Sequence, residues 1–308
     1  LDRDGPVNEK AYRIVEKQPR LTVACLSMNH ARFIERSCRS VLDQTYRDFE
    51  IIYLDNNSTD GTFEIADKIF RESGMPYTSY RRTENYGVAE NVNFLWRLSK
   101  REYVAVLSGD DFWEPNNLEL KIKYYDQHPE FGMLYGGGYK YFYDTGKAEL
   151  MNDPRWKSGW IFKDLLKGNF INGIGILFKK STLDDVGLFD EQSLVEDWDL
   201  WLRIAEKYPI GFIPDPLSYY GQQTGNNTSS NTSYMDKGVV YIFDKYAHHP
   251  EIEKAKNSYW LYRVYERASG KPSWQDMKFI LKNFQFNPVY FKQLVKAAYN
   301  FFFGRTGK

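Results

Sequence analysis

Leu107-Ser108-Gly109-Asp110-Asp111-Phe112-Trp113 is the stretch whose reading decides the architecture. The apolar run Tyr103-Val104-Ala105-Val106-Leu107 reads as a buried strand. It ends in a small, flexible pair, and then two carboxylates stand side by side. Adjacent acids at the mouth of a buried strand repel each other and lose hydration. A cation held between them and an anionic ligand relieves both costs. Hard divalent ions such as Mg2+ or Mn2+ suit carboxylate and phosphate oxygens. Open α/β sheets bind ligands beyond the carboxyl ends of their strands, so the stretch points to a metal–diphosphate site. The structural alternative is a helix N-cap, since an Asp ahead of Glu114-Pro115 and a helix is a common arrangement.

Upstream, apolar segments alternate with helical spacing. Strands are expected at Leu21–Leu26, Phe49–Leu54 and within Met75–Arg82. Helices are expected at Ala31–Gln44, Thr62–Ser73 (with Ser58, Thr59 or Asp60 as its cap) and Asn91–Lys100. This β-α-β-α-β-α-β order makes an α/β fold, a mostly parallel sheet with helices on both faces and the polar strand ends on one edge. A short helix is expected near Asn8–Lys17 in an otherwise polar lead-in.

Downstream the pattern is less regular. A hairpin turns at Asp144-Thr145-Gly146 between Met133–Tyr143 and Lys147–Leu150. Ile161–Lys167 reads as a short helix, Gly173–Lys179 as a strand and Val195–Lys207 as a strong helix. Gly221–Ser233, rich in Gly, Gln, Asn, Thr and Ser, reads as a loop, either a lid or an inert linker. Helical spacing dominates from Met235 on. The expected division is a lead-in at 1–19, a main domain at 20–232 and a helical C-terminal extension at 233–308.

Bulk properties narrow the classes. The 308 residues are 42% hydrophobic, enough for one large domain and an appendage. Lys+Arg and Asp+Glu both number 41, so no net field favours nucleic acid. Aromatic residues make up 17%, which fits sugar-stacking surfaces as well as core. Cys25 and Cys38 read as buried small hydrophobes of a reducing compartment, and the four histidines are scattered without zinc spacing. With no signal-peptide pattern and no apolar run of bilayer length, the expectation is a cytoplasmic protein.

Taken in order, these segments resemble the family 2 inverting glycosyltransferases with the GT-A fold, over roughly residues 20–230. Ser40-Val41-Leu42-Asp43-Gln44-Thr45-Tyr46, followed by Phe49-Glu50-Ile51-Ile52, is similar to the family's first-helix passage. Asp55 through Thr62 is similar to its nucleotide loop, and Asn85-Tyr86-Gly87 with Asn91 to its next element. Asp110-Asp111 falls at the metal motif. Gly187-Leu188-Phe189-Asp190-Glu191, then Glu196-Asp197-Trp198-Asp199-Leu200 and Arg203, resembles the acceptor side.

The resemblance implies a nucleotide-sugar donor and a Mn2+ or Mg2+ cofactor. Asp111 is implied as metal ligand, with Asp110 reaching the ribose or a metal-bound water. Ser27, Asn29, Asp55, Asn56 and Asn85 are implied to address the nucleotide. Asp197 is implied as general base, beside Glu196 and Trp198 on the acceptor side. Adjacent acids near aromatic rings can have one pKa raised. Helix capping and dipole complementarity also place acids in a first turn. The implied partners are a UDP-sugar, or a dTDP-sugar, and the hydroxyl of a glycan or lipid-linked acceptor in cell-surface polysaccharide synthesis.

Three departures qualify the likeness. Asn56 stands where Asp is common, and Met28 where a base-packing Tyr is common. Tyr220-Gly221-Gln222-Gln223 lacks a late Arg and His, leaving Arg81, Arg82 and Lys179 as candidate diphosphate contacts. Gly168–Gly175, with Asn169 and Asn172, borders donor and acceptor in the family. The stretch Phe279–Phe303 carries Tyr290, Leu294, Ala297, Ala298, Phe301 and Phe302 at helical spacing, with interspersed lysines. It suits peripheral contact with the inner face of the plasma membrane, or packing on the catalytic domain or a second subunit. A processive synthase would add membrane helices, and a pyrophosphorylase would add a Gly-rich loop after the first strand. A non-catalytic nucleotide-sugar or glycan-binding module is the other-class alternative.

Overall fold

The computed structural model describes residues 7–12, 18–222, 232–268, 272–282 and 288–303. The chain forms two compact units. The first holds Leu1–Phe162 and Phe170–Ile242, and the second joins Lys163–Asn169 to the chain from Phe243 onward.

The first unit is built on a ten-stranded sheet in the order β1-β4-β3-β2-β5-β9-β7-β10-β6, with β8 paired to β7. Its strands are β1 (Val7–Tyr12), β2 (Leu21–Ser27), β3 (Phe49–Asp55), β4 (Tyr77–Arg82) and β5 (Tyr103–Ser108). The remainder are β6 (Phe112–Trp113), β7 (Met133–Phe142), β8 (Lys147–Leu150), β9 (Leu177–Lys179) and β10 (Ile210–Gln222). The strands β4, β3, β2 and β5 run parallel, and β9 opposes both β5 and β7. Leu21, Val23, Ile51, Leu54 and Val104 are essentially inaccessible. Burial on both faces is what makes such strands read as continuous apolar runs.

The helices of this unit are α1 (Ile34–Leu42), α2 (Thr62–Glu72), α3 (Val88–Leu98), α4 (Asn117–Gln127), α6 (Lys180–Val186) and α7 (Glu196–Lys207), while α5 (Phe162–Leu165) has all but its first residue in the second unit. Ile34, Cys38 and Val41 of α1, and Phe63, Ala66 and Phe70 of α2, join the main core. Cys25 and Cys38 are free and buried, and burial pushes the Cys25 thiol up to about 12.

Several expectations change. Val7–Tyr12, inside the stretch expected to open a helix near Asn8–Lys17, is an edge strand antiparallel to β4, while 13–17 lie outside the described residues. The strand expected at Gly173–Lys179 is only Leu177–Lys179. Ile210–Gln222 is a long strand. Its two register shifts lie around Pro214 and Pro216, residues that cannot donate to a ladder and that disguise it in sequence. Most of the expected loop Gly221–Ser233 lies outside the described residues.

Among the described residues the second unit is helical, with α9 (Ile252–Ala268), α10 (Trp274–Lys282) and α11 (Pro288–Phe303). The helix α8 (Thr232–Lys245) leads into it. The described residues of Phe279–Phe303 fall in α10 and α11. Val264, Ala268, Met277, Ile280, Tyr290 and Ala297 form a separate core, with Leu294, Ala298 and Phe301 packed against it. No helix among the described residues is long and apolar enough to cross a membrane.

Candidate active site

The ends of β3, β2 and β5 lie in register, with Ser27 beside Asp55 and Leu26 beside Ser108. Polar groups of three neighbouring strands therefore share one edge, where an α/β sheet presents its ligand crevice.

Asp55 is fully buried and acts as an organiser. Its Oδ1 accepts the Ser58 N–H at 2.8 Å, and Oδ2 accepts the Ser58 hydroxyl at 2.6 Å and the Ser27 hydroxyl at 3.2 Å. The Ser27 hydroxyl also pairs with the Tyr53 phenol at 2.7 Å. The loop after β2 is then laced to the loop after β3. Asn29 N–H donates to Ser58 Oγ, Thr59 N–H to Asn29 Oδ1, His30 N–H to Thr62 Oγ1 and Ala31 N–H to Asp60 Oδ2. Asn29 (φ 53°) and Asn57 (φ 61°) take left-handed backbone, which asparagine tolerates better than most residues.

Asn56, buried at 5%, staples the next segment. Its amide donates to Asn85 Oδ1 at 2.8 Å and Tyr86 O at 2.9 Å, and its Oδ1 accepts the Tyr86 N–H at 2.9 Å. Met28 lies beside it, its sulfur 3.6 Å from Asn56 Nδ2 and its side chain partly exposed.

The Asp110-Asp111 pair sits beyond β5. Gly109 lets the chain pass close to the first loop, for a Cβ there would stand 2.8 Å from His30 Nδ1 and 2.9 Å from Ser27 Cβ. Asp110 Oδ1 accepts the Ser108 hydroxyl at 2.5 Å, and His30 Nδ1 lies 3.9 Å from it. Asp111 is buried, and its Oδ1 accepts the Gly221 N–H at 2.9 Å. Burial, and then the Asp110 charge, push the Asp111 carboxyl well above the usual carboxylate range. Gly221 is tightly placed too, since a Cβ would approach Asp110 O to 2.1 Å. The N-cap reading of the acid pair fails, because β6 intervenes and α4 begins only at Asn117.

The pair's chemistry fits a divalent cation. Two adjacent carboxylates, one stripped of water, gain from a positive charge, and diphosphate oxygens can complete the shell. Among the described residues no three His, Cys, Asp or Glu side chains form a group that could hold a metal ion.

The second acid pair opens α7, where Glu196, Asp197 and Asp199 occupy the first turn. Burial raises the Glu196 carboxyl. Asp197 is partly exposed and accepts the Trp198 N–H at 2.6 Å. Trp198 is buried at 3%, a core residue one step around the helix. Asp199 and Arg203 form an internal clasp. Asp199 holds Arg203 Nε at 2.8 Å, while the guanidinium donates to the carbonyls of Val186, Gly187 and Leu188.

The three candidate diphosphate cations are engaged in the fold. Arg81 donates to Glu64 and to Ser58 O, and Arg82 is buried against the Tyr86 and Phe94 rings. Lys179 donates to Pro129 O. Asn172 Nδ2 lies 3.1 Å from the Met151 sulfur, and Gly175 abuts Ser218, both internal contacts. Sequence reasoning passed over Asn93, which ties Phe189 from α3 through its N–H and carbonyl and also reaches Glu191. Asn91, on the same helix, holds Tyr86 O and Gly87 O.

The family model "Glycosyl transferase family 2" matches residues 22–187, over half of the chain. This chain belongs to glycosyl transferase family 2. A putative colanic acid biosynthesis glycosyl transferase of Escherichia coli is 20% identical over 273 residues, 87% of this chain and 95% of that protein. Mycobacterial relatives without assigned function share 25% identity over 203 residues, and the chain spans 58% of their length. Staphylococcus aureus TarS, solved with UDP-GlcNAc, superposes with a TM-score of 0.64 at 16% identity, covering 90% of this chain and 79% of that one. A Pyrobaculum calidifontis mannosyltransferase in complex with GDP-Man and Mn2+ gives 0.58 at 20% identity, covering 92% and 86%. The shared GT-A type fold matches the mixed α/β architecture found here.

Proposed function

We propose that this glycosyltransferase moves a sugar, with inversion, from a uridine or thymidine diphosphate sugar to a hydroxyl of a glycan or lipid-linked acceptor in cell-surface polysaccharide synthesis. Its helical C-terminal unit is the part that meets the membrane, from the cytoplasmic side. The observation that carries the donor half is Asp111, a buried carboxylate beside a second acid on the sheet's ligand edge.

Asp110 and Asp111 are the residues that would hold a divalent ion. When bound, that ion supplies Lewis-acid stabilisation of a departing diphosphate oxygen. Asp55, Ser27, Asn29 and Ser58 fix the loops around the nucleotide. Both Asn56 N–H groups are used internally, so Asn56 can offer a base only the second lone pair of Oδ1. A base with a ring N–H, such as uracil or thymine, meets that acceptor, whereas cytosine presents no such donor. Met28 covers the base with a polarizable thioether rather than a ring. Asp197 accepts the proton of the acceptor hydroxyl during a single displacement on the far face of the sugar. Burial raises the Glu196 carboxyl beside Asp197 in the first turn of α7.

The deciding experiment is a thermal-shift panel of UDP, dTDP, GDP and CDP, each with and without Mn2+. Binding to the folded state raises the melting temperature by linkage. The expected result is a Mn2+-dependent shift with UDP or dTDP and none with CDP. No shift with any nucleotide, with or without metal, overturns the donor reading.

A further inference from the structure

The apolar residues of α11 divide into a buried face and an exposed one. Tyr290 and Ala297 are buried in the core of the second unit, with Leu294 and Phe301 packed against it. Phe291, Val295, Tyr299 and Phe302 are exposed by 61%, 53%, 64% and 69%. Each residue turns ~100° about a helix axis, so these side chains fall within roughly 80° of one another, their centre about 125° round the helix from that of the buried face. A helix that packs with one face needs only one apolar stripe, and a second stripe in water is a cost that some contact must offset.

The charges select the contact. The segment PVYFKQLVKAAYNFFF contains Lys292 and Lys296 and no acid. Both lysines lie on one flank of the exposed stripe. Lys296 Nζ stands 4.9 Å over the ring of Tyr265, which with Tyr262 is exposed on α9. Aromatic and aliphatic side chains flanked by lysines are the composition of a helix lying in a lipid headgroup layer, with ammonium groups snorkelling to phosphate.

We infer that α11 docks this unit on an anionic phospholipid surface through Phe291, Val295, Tyr299 and Phe302, with Lys292 and Lys296 contacting lipid phosphates. This deepens the membrane contact proposed above. Of the residues the sequence suggested it keeps Phe302, since Tyr290, Leu294, Ala297 and Phe301 are committed to the core.

The test is flotation of the full chain with phosphatidylcholine vesicles, plain or carrying about 30% phosphatidylserine. The protein is expected to float with the anionic vesicles, less at high salt, and weakly with plain ones. Phe291→Ser with Phe302→Ser should cut the bound fraction about tenfold at unchanged melting temperature. Lys292→Gln with Lys296→Gln should cost about fivefold per lysine on anionic vesicles alone. Absence of flotation with anionic vesicles overturns the proposal. So does a concentration-dependent dimer, seen by sedimentation, that the Phe291→Ser/Phe302→Ser protein no longer forms, because the stripe then faces a second copy. Nucleotide-induced thermal shifts in the same samples report the donor site separately, so loss of either reading is seen without the other.

Discussion

Asp110-Asp111 and Glu196-Asp197 are the same signal in sequence and opposite constructions in the fold. Asp111 is buried at a strand end, with one backbone N–H of β10 on its carboxylate and a like charge next to it. Glu196 and Asp197 stand at the start of a twelve-residue helix, where free backbone N–H groups and the helix dipole favour negative charge without any ion. At Asp111 burial and the neighbouring charge raise the carboxyl, while at Glu196 burial raises it against a helix start that favours negative charge. Of the two, the strand-end pair is the one whose repulsion a bound cation would relieve.

Substitutions can break that contrast. Asp111→Asn should lower turnover by about a thousandfold and abolish any response to Mn2+. The metal-free melting temperature should hold or rise, because a repelled buried charge is gone. Turnover within tenfold of wild type would assign the metal elsewhere. Asp197→Asn should cost about a hundredfold or more in kcat while leaving the Mn2+-dependent nucleotide shift intact. Loss of both would make the second pair part of the donor site.

Gly221→Ala sharpens the comparison from the β10 side. The added methyl collides with Asp110 O, so a loss of about 1–3 kcal/mol of stability is expected, with weakened Mn2+ binding. Unchanged denaturation and metal titration curves would show that the late strand is free to move off the acid pair.

A last prediction concerns Lys121, a buried charge that belongs to neither pair. Its amine, bonded to Asn117 Oδ1 and Gly175 O, is pushed down by burial to about 7, from 10.5 in the open chain. Between those values the unfolded chain binds more protons, so stability should climb with pH across that window and be flat below it. Lys121→Met should flatten the slope in urea melts at a series of pH values.

The donor half was legible because strands buried on both faces write unbroken apolar runs, and each ends in the polar residues that use the sheet edge. The later half was less so. Two prolines disguise β10, and only three residues of the 173–179 segment pair as β9. Trp198, expected on the acceptor side from its place in a motif, has its side chain buried. Asp199 and Arg203 have the i, i+4 spacing of a helix ion pair, a visible clue to an internal clasp. Asn93 gave no sequence signal, since its partners lie nearly a hundred residues away.

Asn91 and Asn93 make α3 a yoke between the Tyr86-Gly87 turn and the Phe189–Glu191 segment. Anyone exchanging the later segment for that of another transferase inherits a splice condition. The graft must still present a peptide N–H and carbonyl at position 189, or the amide of Asn93 is stranded inside the protein. Swaps made outside that register should yield poorly folded chimeras, whatever specificity they were meant to import.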